Sequence, residues 1–221
     1  MFSAMLHAPL VASRRTSIAY RVPKRQDMQM ALPGAFGKSR DHPSILDTRT
    51  GEHVLGVPPG TVRLHAYTPL WAELFRMEAA ELRAALGELA QDVEHVGSTA
   101  VPGLMAKPIL DIAVAIRAYA IVPSCATALA RLGYRYAHWV DLENDYTFEK
   151  GAERTHHVHL VEHGSRQWSD YLRFRDALRG NVELSREYER TKIELGARFC
   201  GDRAAYTRAK ADFIRHVLSI T

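Results

Sequence analysis

From Thr61 onward the apolar positions of the chain fall into two rhythms. In "PLWAELFRMEAAELRAAL", residues 69–86, Trp71, Leu74, Phe75, Leu82 and Leu86 recur near helical spacing, which predicts an amphipathic helix. "TVRLHAY" before it reads as a short strand, and "DVEHVG" and "PILDIAVAI" after it as two more, the last for its β-branched residues. "VPSCATALARL" is a second helix, closed by Gly133 in the C′ place. "YRYAHWV", "DYTFEK" and "HHVHLVE" read as three further strands. Three helices finish the chain, over about 166–179, 182–200 and 203–219. Leu184, Tyr188, Leu195 and Phe199 mark their packed side, and Gly201 as a stop with Asp202 as an N-cap announces the last. Together these elements predict an α+β domain, a mixed sheet flanked by helices with the C-terminal helices packing on it.

One residue breaks the pattern of "PILDIAVAI". Alternate side chains of a strand share a face, so Leu110, Ile112, Val114 and Ile116 make the core face. Asp111, Ala113 and Ala115 then point the other way, onto a face of small residues with room above the carboxylate. A carboxylate in such a place is costly unless it is paired, hydrogen-bonded or metal-bound. Either an arginine on a covering helix pairs with Asp111, or Asp111 belongs to a site.

Residues 1–60 mix Pro, Gly, Ser and charge without either rhythm and end in "GVPPGT", which reads as a flexible extension ahead of a domain at 61–221. The first 26 residues lack acids and contain arginines and serines. They resemble an organelle presequence, or mark an over-extended start with Met28 or Met30 as initiator. Residues 1–40 hold seven Lys/Arg and one acid, against 29 and 25 for the whole chain, so the sequence pI of 9.1 belongs to this segment and the rest is slightly acidic. A nucleic-acid partner is therefore not expected. "LPGAFGKSR" imitates a phosphate-binding P-loop, but Leu32 stands where the first glycine is required and no strand precedes it. No uncharged apolar run approaches the ~18 residues of a membrane span. Cys125 and Cys200 have no partner spacing, so neither a disulfide framework nor a cysteine metal site is indicated. A reducing cytoplasm fits this composition.

The loop before Asp111 changes the picture. A strand ending in Gly97-Ser98, with an aspartate 13 residues after Ser98 on the next strand, resembles the DNA polymerase β-like nucleotidyltransferase superfamily. More closely, "VEHVGSTAVPGLMAKPILDIAV" resembles the GrpB family of nucleotidyltransferase-fold proteins. So do "YTPLWAELF", "HHVHLVEHGSRQWSDYLRFRDALR", and Y-x-x-x-K at Tyr188/Lys192 and Tyr206/Lys210, in matching order from about Val62 to Ile220. The superfamily resemblance implies that Gly97, Ser98 and Thr99 cradle a triphosphate and that Asp111 helps to hold a divalent metal. It also implies that cations from the loop and the C-terminal helices (Lys107, Arg154, Arg175, Lys192 and Lys210) meet phosphate. Active members carry a second acid two residues after the first, because two metals need at least two carboxylates; here Ala113 stands in that place.

"RTHHVHLVEH" offers a replacement. His157, His159 and Val161 share one face of the predicted strand, while His156, Val158 and Leu160 share the core face. If this strand neighbours the second, His157 and His159 reach Asp111. The set then takes magnesium or manganese as the superfamily does, or zinc, since neutral imidazoles suit Zn²⁺, Mn²⁺ or Fe²⁺ better than Mg²⁺. The histidines otherwise contact phosphate or substrate, or only support the fold. "HLVEH" also fits the H-x-x-E-H signature of zinc proteases, but that chemistry needs a helix. In a strand the two imidazoles lie about 13 Å apart. Two functions remain open from sequence. One is a metal-dependent transferase moving a nucleotidyl or phosphoryl group from a nucleoside triphosphate to a small acceptor. The other is a non-catalytic module that binds a nucleotide, a coenzyme or a partner protein.

Overall fold

A seven-residue apolar strand broken by one aspartate, buried along almost its whole length, lies inside the sheet. The computed structural model describes residues 54–57, 61–137 and 146–221. Their strands are β1 (Asp92–Val96), β2 (Leu110–Ile116), β3 (Arg135–Tyr136), β4 (Tyr146–Lys150) and β5 (His156–Glu162). Their helices are α1 (Leu70–Leu86), α2 (Val122–Arg131), α3 (Arg166–Gly180), α4 (Val182–Arg198) and α5 (Arg203–Ile220). The sheet order is β1-β2-β5-β4-β3. β2 and β5 run parallel and every other pair is antiparallel. The α+β reading of the sequence is thus the observed class.

The two faces of β2 do different work, as the alternation predicts. Leu110, Ile112, Val114 and Ile116 join Val158 and Leu160 of β5 and Tyr146 and Phe148 of β4 against Trp71, Leu82 and Leu86 of α1 and Leu129 of α2. On the other face Val96, Ala113, Ala115 and Val161 are covered by Trp168, Tyr171 and Leu172 of α3. Small alanines let that helix lie close. Phe174 and Leu178 of α3 then pack with Tyr188 of α4 and Val217 of α5, and with Val101 and Leu104 from the loop before β2. The three C-terminal helices therefore reach the loop that carries Lys107. Side-chain caps start each of them: Ser165 accepts from the Trp168 amide, Asn181 from Leu184 and Asp202 from Ala205. Gly133, at φ +85, ends α2 in the left-handed conformation expected there.

Three boundaries differ from the sequence reading. "TVRLHAY" forms only a single bridge, His65 to Ala106, and its Val62 and Leu64 lie beside Gly196 of α4. The strand foreseen in "YRYAHWV" is present at Arg135–Tyr136; residues 138–140 lie outside the described residues, as do the P-loop-like stretch and the presequence-like start. The packed chain also begins before residue 61. Val54, Leu55 and Val57 are buried, Trp71 Nε1 donates to Val54 O, and the Gly56 amide donates to Pro108 O. "HLVEH" lies on β5 and the turn after it, so its two histidines cannot face one ion as on a helix. No described helix is long and apolar enough to cross a membrane.

The core face also encloses charge. Glu78 of α1 accepts two bonds from Lys150 Nζ, at 2.8 and 3.0 Å, and one from Tyr134 Oη at 3.0 Å, with His156 Nε2 3.7 Å away. Burial alone would raise the Glu78 pKa, but the His156 and Lys150 charges and these bonds outweigh it and hold the group below its ordinary value. The network ties α1 to β4, β5 and the turn after α2. Glu78→Ala strands Lys150 and should cost about 3–5 kcal/mol in urea denaturation. Arg186→Ala, which removes an exposed pair with Glu183, should cost less than about 1 kcal/mol. Equal midpoints for the two variants would refute a structural role for the network.

Candidate functional site

The site begins where β1 stops. Val96 is the register partner of Asp111, so the next residue passes directly over the carboxylate. That residue is Gly97, at φ +70, and a Cβ added there would stand 2.5 Å from Asp111 Oδ2 and 2.9 Å from its Cβ. Both backbone and space demand glycine. Ser98–Ala100 then make one 3-10 turn, in which the Ala100 amide donates to Gly97 O and the Val101 amide to Ser98 O. The amides of Ser98 and Thr99 donate to no acceptor among the described residues, which leaves two donors for an anion.

This turn is held from several sides. Arg175 Nη1 donates to His95 O at 3.1 Å, and Arg179 donates to Ala100 O through Nε and Nη2 at 2.9 and 2.8 Å. Thr99 Oγ1 turns inward, donating to Ile109 O and bonded to His95 Nε2 at 3.0 Å. Thr99 therefore offers the site its amide and not its hydroxyl. His95 is buried beneath, stacked on Phe75, and burial pushes its pKa down to about 4. The Arg179 and Arg175 charges act in the same direction, against an upward pull from Asp111.

Below the turn lies an acid–imidazole cluster. The parallel register of β2 and β5 sets Asp111 beside His157 and Ala113 beside His159. His157 Nδ1 donates to Asp111 Oδ1 at 3.0 Å, and His159 Nε2 lies 3.7 Å from the same oxygen. The other ring nitrogen of His159, Nδ1, is bonded to Thr147 Oγ1 at 3.0 Å. Burial alone would raise the Asp111 pKa, but the His157 hydrogen bond and the nearness of both imidazoles hold it well below the usual carboxylate range. Of the two alternatives open from sequence, the arginine partner is not observed: Asp111 pairs with histidines. One ligand atom from each of the three residues lies within 4.8 Å of the others. One carboxylate and two imidazoles fit an ion such as Zn²⁺, Mn²⁺ or Fe²⁺ better than Mg²⁺, and the Thr147 bond on the far nitrogen is what orients such a histidine.

Beside the cluster stands a group of lysines. Lys107 Nζ lies 5.2 Å and Lys210 Nζ 4.8 Å from the centre of the same Tyr206 ring. Lys192 sits over Tyr188 at 4.8 Å and donates to Met105 O, while Glu189 accepts from the Met105 amide. α4 thus grips both backbone polar groups of one residue in the loop bearing Lys107. Burial, then the Lys210 charge, pushes Lys107 down to about 7, against an upward pull from Asp111. Burial and Lys210 do the same to Lys192, also to about 7. Lys210 is lowered by burial and raised by Asp111. Neither Lys107 nor Lys210 has a carboxylate within ion-pair distance among the described residues.

The structure brings together Gly97, Ser98, the Thr99 amide, Lys107, Asp111, His157, His159 and Lys210. Lys192 stands behind them on the Met105 carbonyl. Arg175 is occupied elsewhere, bound to Glu94, to Asp176 and to the His95 carbonyl, and it anchors α3 to β1. Arg154, at φ +52 in the turn before β5, is buried near Glu149 and Arg135, and its charge is felt at Lys107. Sequence reasoning missed Thr147 and the Glu94–Arg175 link, which only strand register and helix docking reveal. It also missed the shared Tyr206 ring, for which the Y-x-x-x-K spacing was the available signal.

Residues 61–219 match the family model described as GrpB protein. The glutamate-rich protein GrpB of Alkalihalophilus pseudofirmus is 33% identical over 172 residues, covering 75% of this chain and 99% of that protein. The crystal structure of GrpB from Enterococcus faecalis is 33% identical with a TM-score of 0.66, covering 72% of this chain and 96% of that one. A structure of Cid1 in complex with a UTP analogue aligns with a TM-score of 0.36 at 17% identity over 65% of this chain and 48% of its own, too loosely to transfer an activity.

Two expectations follow from the turn. Gly97→Ala forces both a left-handed alanine and a collision with Asp111, and should lower stability by about 1–3 kcal/mol in urea denaturation. His95 holds its proton less tightly folded than unfolded, so its contribution is fully present above pH 6.5 and is lost as pH falls toward 4. The loss is on the order of 3 kcal/mol. His95→Gln should flatten that part of the stability–pH curve; a curve parallel to the parent's between pH 4 and 6.5 would refute the assignment.

Proposed function

The chain belongs to the GrpB family, and we propose that it is a metal-dependent transferase that moves a nucleotidyl or related phosphoryl group to a small acceptor. The observation that carries this reading is the contact of Gly97 with Asp111. Near that contact the two open amides, the Lys107–Lys210 pair and the Asp111–His157–His159 cluster are taken together as one site. Such a convergence of amides, ammonium groups and ligating side chains suits a nucleoside triphosphate or a related phosphorylated molecule.

In this reading the Ser98 and Thr99 amides receive phosphate oxygens, and Lys107 and Lys210 neutralise their charge. Lys192 and Glu189 hold the Met105 peptide so that Lys107 stays in place. Asp111, His157 and His159 hold a divalent ion, which when bound supplies Lewis-acid polarisation of a phosphoryl oxygen. Arg175 and Arg179 hold the carbonyls on either side of the turn, so the donors need not reorganise on binding. A second reading is favoured by Ala113: a module that binds the same ligands without transferring anything.

A thermal-shift screen of nucleoside triphosphates with Mg²⁺, Mn²⁺ or Zn²⁺ separates the outcomes. Stabilisation by a metal–nucleotide pair together with pyrophosphate release supports the transferase, and stabilisation without release supports the module. No shift with any pair sinks both. Asp111→Asn should abolish the metal-dependent part of the shift and leave the fold intact by circular dichroism; metal dependence retained in that variant would refute the role given to Asp111.

A further inference from the structure

We infer that the site takes one divalent ion and not two, and that Lys107 and Lys210 supply the positive charge a second ion would otherwise bring to an oligophosphate ligand. This deepens the proposed function and rests on its metal reading.

The first line of support is what surrounds Ala113, where superfamily members of the resembling type carry the second acid. Glu94 is the register partner of Ala113 on β1, and its side chain lies on the same face. That carboxylate is nearest to replacing the missing one, but Arg175 Nη1 binds it. Arg175 is itself fixed by Asp176 at 2.8 and 3.2 Å and by His95 O at 3.1 Å. It is buried under α3, so it cannot leave Glu94 without breaking the seat of that helix. On the other side of Ala113 stands His159, already turned toward Asp111. Beyond it Ala115, Val161 and Trp168 close the face with apolar surface. Among the described residues no free carboxylate remains there for a second dication, which needs oxygen ligands of its own.

Charge supplies the second line. Asp111 is the sole anion of the ligand cluster, and Lys107, Lys210 and the committed Arg175 stand nearby. One divalent ion more than neutralises Asp111, and another would meet like charge on two sides. Lys107 and Lys210 lean on one ring without a carboxylate, as two fixed ammonium groups left for an anion. The ligand class that suits this arrangement carries at least two adjacent phosphates: one part at the ion, the next at the lysines.

The experiment combines metal stoichiometry with anion binding. Equilibrium dialysis against Zn²⁺ or Mn²⁺, read by elemental analysis, should give one ion per chain, and none for Asp111→Asn. Calorimetry with inorganic tripolyphosphate in EDTA should still show binding, weakened at least tenfold by Lys107→Met together with Lys210→Met, with melting curves confirming the fold. Two ions per chain would overturn the inference while leaving the transferase reading standing. No ion at all would remove the metal reading and this inference together. Tripolyphosphate binding that vanishes in EDTA, or that the lysine variants leave unchanged, would overturn the role given to the lysines.

Discussion

A carboxylate set into an interior strand of a sheet must be compensated on the spot, and most of the site follows from how Asp111 achieves this. Burial would push its proton on; the imidazoles of the neighbouring strand pull it off. That compensation requires β5 to lie parallel to β2 in one register, since a slip of one residue would present Val158 in place of His157. It also requires a residue without a side chain above the carboxylate, and Gly97 meets the need where β1 turns away.

The sheet separates two kinds of polarity. Toward α1 and α2 the network of Glu78, Lys150, Tyr134 and His156 is closed and dry, with its charges matched among themselves. Toward the C-terminal helices the polar groups are only partly matched among the described residues: two amides without acceptors, two ammonium groups on one ring, and a histidine nitrogen at 3.7 Å. The first arrangement fits a structural role and the second fits a ligand. His156 and His157 are adjacent in the chain and serve opposite faces because strand side chains alternate.

Arginine and lysine divide the labour of the helical layer. Arg175 and Arg179 use their forked donors to fix backbone carbonyls on both sides of the Gly-Ser turn, a task for a planar group with several N–H bonds. Lys107 and Lys210 are compact ammonium groups set against the Tyr206 ring, with no carboxylate at ion-pair distance among the described residues. Lys192 stands between the two roles, tied to a carbonyl yet close enough to Lys210 to feel its charge. The resemblance that grouped Lys107, Arg175, Lys192 and Lys210 with Arg154 as phosphate contacts did not distinguish holding the site from serving its ligand.

Local patterns in the chain determined a good deal: the alternation in β2 that turns Asp111 away from the core, the helical stripe of α1, the caps at Gly133 and Asp202, and the face shared by His157 and His159. Each depends on residues within a few positions of one another, where strand and helix periods act directly. Tertiary structure alone decided that β5, 46 residues further on, lies beside β2. It likewise decided that Thr147 orients His159, that Arg175 takes Glu94, and that Val54–Val57 belong to the packed domain. These contacts join residues far apart in the chain, and no spacing encodes them; they arise because burying both faces of β2 allows only a neighbour that meets apolar core on one side and a carboxylate on the other.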